Sequence, residues 1–110
     1  MLKDKDLSHV TGGTSPDLLR LTIPQALEAA TRKWGDQEAV VSAHQNIRWT
    51  YAELAEKAED LAAGLLTIGI EKGDRVGIWA PNLAEWTLTQ FATAKIGVVL
   101  VNVNPAYRLS

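Results

Sequence analysis

The chain has 110 residues, 46% hydrophobic and 22% charged, with a net charge of −2; these proportions fit one ordinary globular folding unit and exclude a collagen-like, coiled-coil or disordered chain. Without cysteine, and with His9 and His44 as the only imidazoles, it cannot build a disulfide framework or a thiolate metal site, and a zinc site is disfavoured. Its scattered Lys and Arg form no basic stripe for nucleic acid, and the longest apolar run, Ile96 to Val101, falls far short of the ~20 residues of a membrane span.

Lys3, Asp4, Lys5 and Asp6 lead into no apolar run, so the start reads as neither a secretion signal nor a transit peptide, and a cytoplasmic location is expected. Residues 1–20 are polar and unpatterned, with Thr11, Gly12, Gly13, Thr14, Ser15 and Pro16 clustered, and are expected to form a flexible arm. Successive N–H groups in Thr11-Gly12-Gly13-Thr14-Ser15 could cradle a phosphate, but no strand precedes the run and no Lys follows it. Order is expected over 21–110. Thr22 and Gln25 have the spacing of a capping box, Pro24 suits a first turn, and Gly35 stands where a left-handed C′ glycine ends a helix. Between them Ile23, Leu27, Ala30 and Trp34 share one helical face, with Arg32 and Lys33 at the dipole-favoured end.

Glu38 to Ala43 and Ile47 to Thr50 predict a hairpin around His44, Gln45 and Asn46, with Asn46 suited to positive φ. His44 has no general-base partner or second ligand nearby and reads as an exposed turn residue. Thr50 and Glu53 form a second capping box, a more economical reading of that pair than a catalytic hydroxyl and acid. Tyr51, Leu54, Ala55, Ala58, Leu61, Ala62, Leu65 and Ile68 line the apolar face of the following helix, which is predicted to end at Gly69. Glu53 and Lys57 have favourable i,i+4 spacing, and Gly64 suggests close packing against a neighbour.

Asp74 to Ala80 reads as a strand broken by Pro81. Asn82 is the predicted cap of a helix from Leu83 to Ile96, Gly97 its left-handed end, and Val98 to Val103 a second strand. This strand, helix, strand order predicts a right-handed crossover between parallel strands, hence an α/β fold. The crossover helix carries Leu83, Trp86, Leu88, Phe91, Ala94 and Ile96 all round, with Glu85 and Lys95 at its ends. It is expected to be buried all round, and the last strand on both faces. So short a chain leaves too little protein to supply both layers, so it is expected to be part of something larger or to self-associate through that helix. Trp34, Trp49, Trp79 and Trp86 are read as core. Asn102, Asn104, Tyr107 and Arg108 follow the carboxyl end of a strand, where α/β ligands bind, yet they read first as a turn.

Trp49-Thr50-Tyr51-Ala52-Glu53-Leu54 and the run from Ala94 through Gly97 and Asn102 to Pro105 resemble two core motifs of the AMP-forming adenylate synthetases, which include acyl-CoA ligases, peptide-synthetase adenylation domains and luciferases. Gly69, Gly73-Asp74-Arg75-Val76 and Pro81-Asn82 between them match in order and spacing, so the likeness covers Leu21 to Ser110. His44-Gln45-Asn46-Ile47-Arg48 and Asn104-Pro105-Ala106-Tyr107-Arg108 resemble the fatty-acyl-CoA ligase branch, of the medium-chain type. The resemblance implies that residues 21–110 open the large N-terminal domain of an enzyme that forms an acyl-adenylate from a carboxylate and ATP, with Mg2+, and passes the acyl group to coenzyme A. It implies no catalytic, cofactor-binding or metal residue within this chain, because the family's phosphate loop, its aromatic-Thr-Glu segment, its ribose-binding Asp and its C-terminal Lys belong downstream. The expected partner is the remainder of the parent polypeptide. The rivals are a short non-enzymatic module that oligomerises or domain-swaps through its apolar helix, and an adenylating enzyme for an aryl or amino acid.

Overall fold

A computed structural model of the chain describes residues 12–13 and 18–107; most of the arm expected over 1–20, and Arg108, lie outside them. The first helix, α1 (Ile23–Trp34), starts at the expected capping box: the Thr22 hydroxyl accepts the Gln25 N–H at 3.3 Å and the Gln25 side chain accepts the Thr22 N–H at 2.9 Å. Its end differs from expectation. Gly35 has φ −47° and ψ −39°, right-handed values that any residue adopts. A Cβ there would lie 2.9 Å from the Thr31 carbonyl oxygen, and the Gly35 carbonyl accepts the Ala52 N–H at 3.1 Å. The glycine is therefore needed for a close approach of backbone at the junction of two helices rather than for a left-handed cap.

The hairpin forms as predicted. Strands β1 (Glu38–Ser42) and β2 (Ile47–Thr50) pair antiparallel, with Val40 opposite Trp49 and Ser42 opposite Ile47. A single 3-10 turn, Ala43–Gln45, joins them, and Asn46 takes φ 55°, ψ 44°, a left-handed conformation that Asn tolerates. Thr50 and Glu53 close the second capping box at 3.1 and 3.0 Å and start α2 (Tyr51–Thr67). At the far end Gly69 adopts φ +97°, its N–H reaches the Leu66 carbonyl and the Ile70 N–H the Leu65 carbonyl, both at 3.1 Å. That pair of bonds is a Schellman cap, and it depends on the glycine. Gly64, by contrast, has no atom within 4 Å of the position of a Cβ, so the close packing expected there does not occur. Nor do Glu53 and Lys57 join in the expected ion pair: the Lys57 ammonium lies 5.3 Å from the centre of the Trp49 ring, while the Glu53 carboxylate serves the cap.

Strands β3 (Arg75–Trp79) and β4 (Val99–Val103) flank α3 (Ala84–Lys95) and pair in parallel, as the crossover predicts, with Arg75 beside Val99 and Trp79 beside Val103. Two left-handed glycines close the base of this unit: Gly73 at φ +90° donates its N–H to the carbonyl of Gly97, at φ +71°, over 2.9 Å. The α3 helix is the hub, touching α1, α2, β1 and β4. Of its residues Ala84, Ala92 and Thr93 are buried, Gln90 and Lys95 are exposed and the rest, Trp86, Leu88 and Phe91 among them, are half-buried, so α1 and α2 cover the helix only in part and the all-round burial expected for it is not reached within the described residues. Its hydroxyls stay inside because they turn back on the helix: Thr93, 1% exposed, donates to the Thr89 carbonyl at 2.8 Å, and Thr89 to that of Glu85 at 2.7 Å.

The buried apolar residues among those described are Leu54, Ala58, Ala62, Ala84, Ala92 and Val98. Small side chains dominate this core, which lets α2 and α3 approach closely but removes little apolar area from water.

Candidate functional site

Because side chains alternate along a strand, paired residues of β3 and β4 share a face. Leu100 and Asn102 join Trp86, Gln90, Thr93 and Ala94 of α3 around a groove of about 310 Å3, so Val76 and Ile78, paired with Leu100 and Asn102, belong to the helix-covered face. The opposite face carries Arg75, Gly77, Trp79, Val99, Val101 and Val103 in register. It is apolar apart from Arg75 and lies open: Trp79 is 63% exposed, Val99 49% and Val101 41%. Burial of β4 on both faces and of Trp79 in the core, as expected from the sequence, is therefore corrected within this chain. Among the described residues the sheet has two strands, so the outer edge of each pairs with no other described strand. A parallel pair of this kind is normally covered on both faces, and this outward surface is the largest departure of the molecule from a self-sufficient domain.

Of the residues expected to form a turn after β4, Asn104 and Tyr107 do so, whereas Asn102 lies within the strand and lines the groove, and Arg108 is outside the described residues. The Asn104 side chain accepts the Ala106 N–H at 2.9 Å and its carbonyl the Tyr107 N–H at 3.0 Å, an Asx turn that occupies the side chain locally. After β3 the Trp86 indole N–H donates to the Ala80 carbonyl at 3.0 Å and fixes the turn through Pro81 and Asn82.

Asn82 does not cap α3, however. Leu83 stands at the N-cap and offers no side-chain acceptor. The cap comes instead from the hairpin turn: Gln45 Oε1 accepts the Ala84 N–H at 2.8 Å, and Gln45 Nε2 donates to the Glu85 carboxylate at 2.7 Å. The Ser42 hydroxyl holds Gln45 Oε1 from the other side at 2.7 Å. One amide thus clasps the hairpin to the start of the crossover helix, and its separation from Ala84 along the chain hid it from sequence reasoning.

The other candidate side chains stay apart. His44 is exposed and lies 3.5 Å from the Ser42 hydroxyl. Trp34 faces Tyr51 at 6.3 Å between ring centres, with the Lys33 ammonium 4.8 Å from its own ring centre, and is 41% exposed rather than core. Of the Thr11-Gly12-Gly13-Thr14-Ser15 run only the two glycines are described, so that reading falls outside the structure.

Several carboxylates are likewise engaged locally. Glu38 pairs with Arg48 at 2.7 Å, Glu28 with Arg32 at 3.0 Å, and Asp74 accepts the Glu71 N–H at 2.8 Å. The hydrogen bonds from the Thr50 backbone and hydroxyl hold the Glu53 carboxyl below its ordinary value of 4.5, with a smaller contribution from Lys57. Among the described residues no group of three or more His, Cys, Asp or Glu could hold a metal ion. What these residues build is a scaffold with one uncovered apolar face. Among the described residues no helix is long and apolar enough to cross a membrane.

Comparison with known proteins agrees with this scaffold. The sequence model of the family described as "AMP-binding enzyme" matches residues 27–110. The chain is 49% identical over 102 residues to the "Medium-chain acyl-CoA ligase ACSF2, mitochondrial" of Danio rerio, covering 93% of this chain and 17% of that protein. Its identity to the Mus musculus protein of the same name is 46% over 104 residues, covering 94% and 17%. The chain therefore spans 17% of the length of these relatives.

Among solved structures, a Mycobacterium tuberculosis fatty acyl CoA synthetase superposes with a TM-score of 0.75 at 31% identity, covering 78% of this chain and 17% of the other. The N-terminal subdomain of Klebsiella oxytoca NpsA, solved in complex with anthranilyl-AMSN, gives 0.73 at 31%, covering 78% and 22%. The parallel crossover unit, the two capped helices before it and the match over 27–110 lead to one assignment: the chain belongs to the AMP-binding enzyme family.

Proposed function

We propose that this chain is the opening scaffold, over residues 21–110 and preceded by an arm over 1–20, of an ATP-dependent medium-chain acyl-CoA ligase. In the proposed reaction a carboxylate attacks the α-phosphorus of ATP and releases pyrophosphate, and the thiol of coenzyme A then displaces AMP to leave a thioester. ATP, Mg2+ and coenzyme A are cofactors of the parent enzyme, and their ligands lie outside this chain. The observation that carries the reading is the outward face of the β3–β4 sheet: an apolar parallel pair whose outer edges meet no other strand among the described residues is built to receive further layers of the same domain. The medium-chain substrate is favoured by the names of relatives 46% and 49% identical.

An aryl substrate is the second reading, since the neighbour bound to anthranilyl-AMSN is as similar in fold and identity, at 0.73 and 31%, as the fatty acyl neighbour, at 0.75 and 31%. A non-enzymatic module that oligomerises through α3 is less favoured, because no large apolar side chain of that helix is exposed while Trp79, Val99 and Val101 of the sheet are. The test is acyl-dependent exchange of labelled pyrophosphate into ATP by the native gene product, with octanoate and benzoate as rival substrates, and by the 110-residue chain in parallel. We expect exchange with octanoate from the native product and none from the chain alone. Exchange by the chain itself would overturn the scaffold reading. Cytoplasmic location is the accompanying proposal, and cell fractionation separates it from the mitochondrial location in the relatives' names.

A further inference from the structure

We infer that Gln45 and Glu85 form a lock with a single hydrogen-bonding sense, which ties the β1–β2 hairpin to the turn between β3 and α3 so that the two open and close as one unit. The lock is one carboxamide used on both sides. Gln45 Oε1 accepts the Ala84 N–H at 2.8 Å and the Ser42 hydroxyl at 2.7 Å, while Gln45 Nε2 donates to the two oxygens of the Glu85 carboxylate at 2.7 and 3.3 Å. A backbone N–H can only donate, and an ionised carboxylate can only accept. Turning the amide over would set its NH2 against the Ala84 N–H and its oxygen against the carboxylate, so its orientation is dictated twice.

Both partners lack a local alternative. α3 starts after Leu83, which has no side-chain acceptor to cap it, and without Gln45 the N–H of Ala84, a residue 4% exposed, loses its acceptor. A two-stranded hairpin is marginal by itself, and the 3-10 turn Ala43–Gln45 has no side-chain cap at its own start. Among the described residues the Gln45 contacts are the hydrogen bonds that cross from the hairpin to the crossover unit, between positions 39 and 40 residues apart along the chain. Side-chain packing leaves a gap beside them, a groove of about 220 Å3 lined by Val41, Ser42 and His44 of the hairpin and by Asn82, Leu83 and Thr87 around the start of α3. Coupling across that gap therefore falls to the hydrogen bonds, of which the one to the carboxylate is charge-assisted. Segments joined in this way open as one cooperative unit. The turn so held follows the carboxyl end of β3, the end of a parallel sheet at which α/β ligands bind, and Gln45 positions it from a different element.

The test is hydrogen exchange read by mass spectrometry on the native gene product, over residues 38–50, residues 80–88 and, as an internal reference, residues 54–62 of α2. Gln45→Leu removes every bond of the amide. Gln45→Glu keeps an acceptor for Ala84 but sets two carboxylates in contact. Each should speed exchange in 38–50 and 80–88 together by about tenfold and leave 54–62 within about twofold of the parent protein. Glu85→Gln, whose amide oxygen still accepts, should give a smaller rise in the same two segments. The swapped pair, Gln45→Glu with Glu85→Gln, again sets an amide against a carboxylate and should bring both segments back to within about threefold of the parent. A rise confined to one segment would overturn the coupling, and a swapped pair no better than Gln45→Glu alone would overturn the hydrogen-bonding sense. An equal rise in all three segments would mean lost global stability instead of a released lock, and unchanged exchange in every variant would mean that no lock exists; either result overturns the inference.

Discussion

Gly97→Val tests the base of the crossover unit. Gly97 ends the turn after α3 at φ +71°, and a Cβ built there would sit 2.9 Å from Lys72 Cγ and 3.5 Å from Cδ. Two costs add. Placing any side chain at positive φ costs about 1 kcal/mol for Ala and about 2 kcal/mol for a β-branched residue. Lys72 must also swing away, which is cheap because it is exposed. The backbone has no easy escape by rotating to negative φ. The Gly97 carbonyl accepts the Gly73 N–H at 2.9 Å, and the next residue, the buried Val98, donates its N–H to Thr93 at 3.0 Å.

We therefore expect a loss of about 1 kcal/mol for Gly97→Ala and 2–3 kcal/mol for Gly97→Val, the latter a fall in Tm on the order of 10 °C. Urea titration followed by tryptophan fluorescence measures it, with the denaturant slope unchanged if the native and unfolded states keep their compactness. Adding Lys72→Ala to Gly97→Val should restore only a small part, since the backbone dominates. Both single variants lying within about 0.5 kcal/mol of the parent chain would refute the positive φ. Full rescue by Lys72→Ala would assign the cost to the side-chain clash instead.

Gln45→Leu should cost about 1–3 kcal/mol by leaving the N–H of Ala84, a residue 4% exposed, without its acceptor; a denaturation midpoint equal to that of the parent chain would show that the clasp is dispensable. Gly64→Ala should stabilise by about 0.5–1 kcal/mol, because the site is helical with open space around the added methyl group, and a lower Tm would reveal contacts there. Glu53→Ala should destabilise in a pH-dependent way. The folded carboxyl titrates below its ordinary value of 4.5, so the stability it adds is present at neutral pH and lost as the pH falls through the lower folded value. A difference between parent and variant that stayed constant from pH 7 to about pH 2 would contradict the cap bonds as its source.

Features whose physics closes within a few residues were legible in the sequence. Thr22 with Gln25 and Thr50 with Glu53 form caps because a hydroxyl reaches a backbone N–H only three residues on. Asn46, Gly69 and Gly97 take positive φ for reasons local to their turns. The parallel pairing of β3 and β4 followed from the length of the crossover between them. Where a distant element decides, the local pattern misled. Asn82 has the chemistry of an N-cap, but Gln45 holds the place from a different element. Gly35 looks like a helix terminator, yet its conformation is right-handed and its role is set by the approach of Ala52. Gly64 looks like a packing site, yet nothing packs on it. Trp79 and the valines of β4 have the composition of doubly covered strands, a reading of what the strands require rather than of what this chain supplies.

That last discrepancy also explains how the chain can be ordered locally and still incomplete. Four of the buried apolar residues are alanines, Ala58 and Ala62 of α2 and Ala84 and Ala92 of α3, and alanine removes little apolar area from water. The larger apolar side chains that could supply the missing area point outward: Trp79, Val99 and Val101 on the sheet, and Leu66 and Ile68 at the end of α2. Caps and turns contribute about 1 kcal/mol each, enough to select one conformation for each element but small beside the conformational entropy that a whole domain must overcome. Covering the outward face would therefore add apolar burial that the alanine-rich core of this chain does not supply.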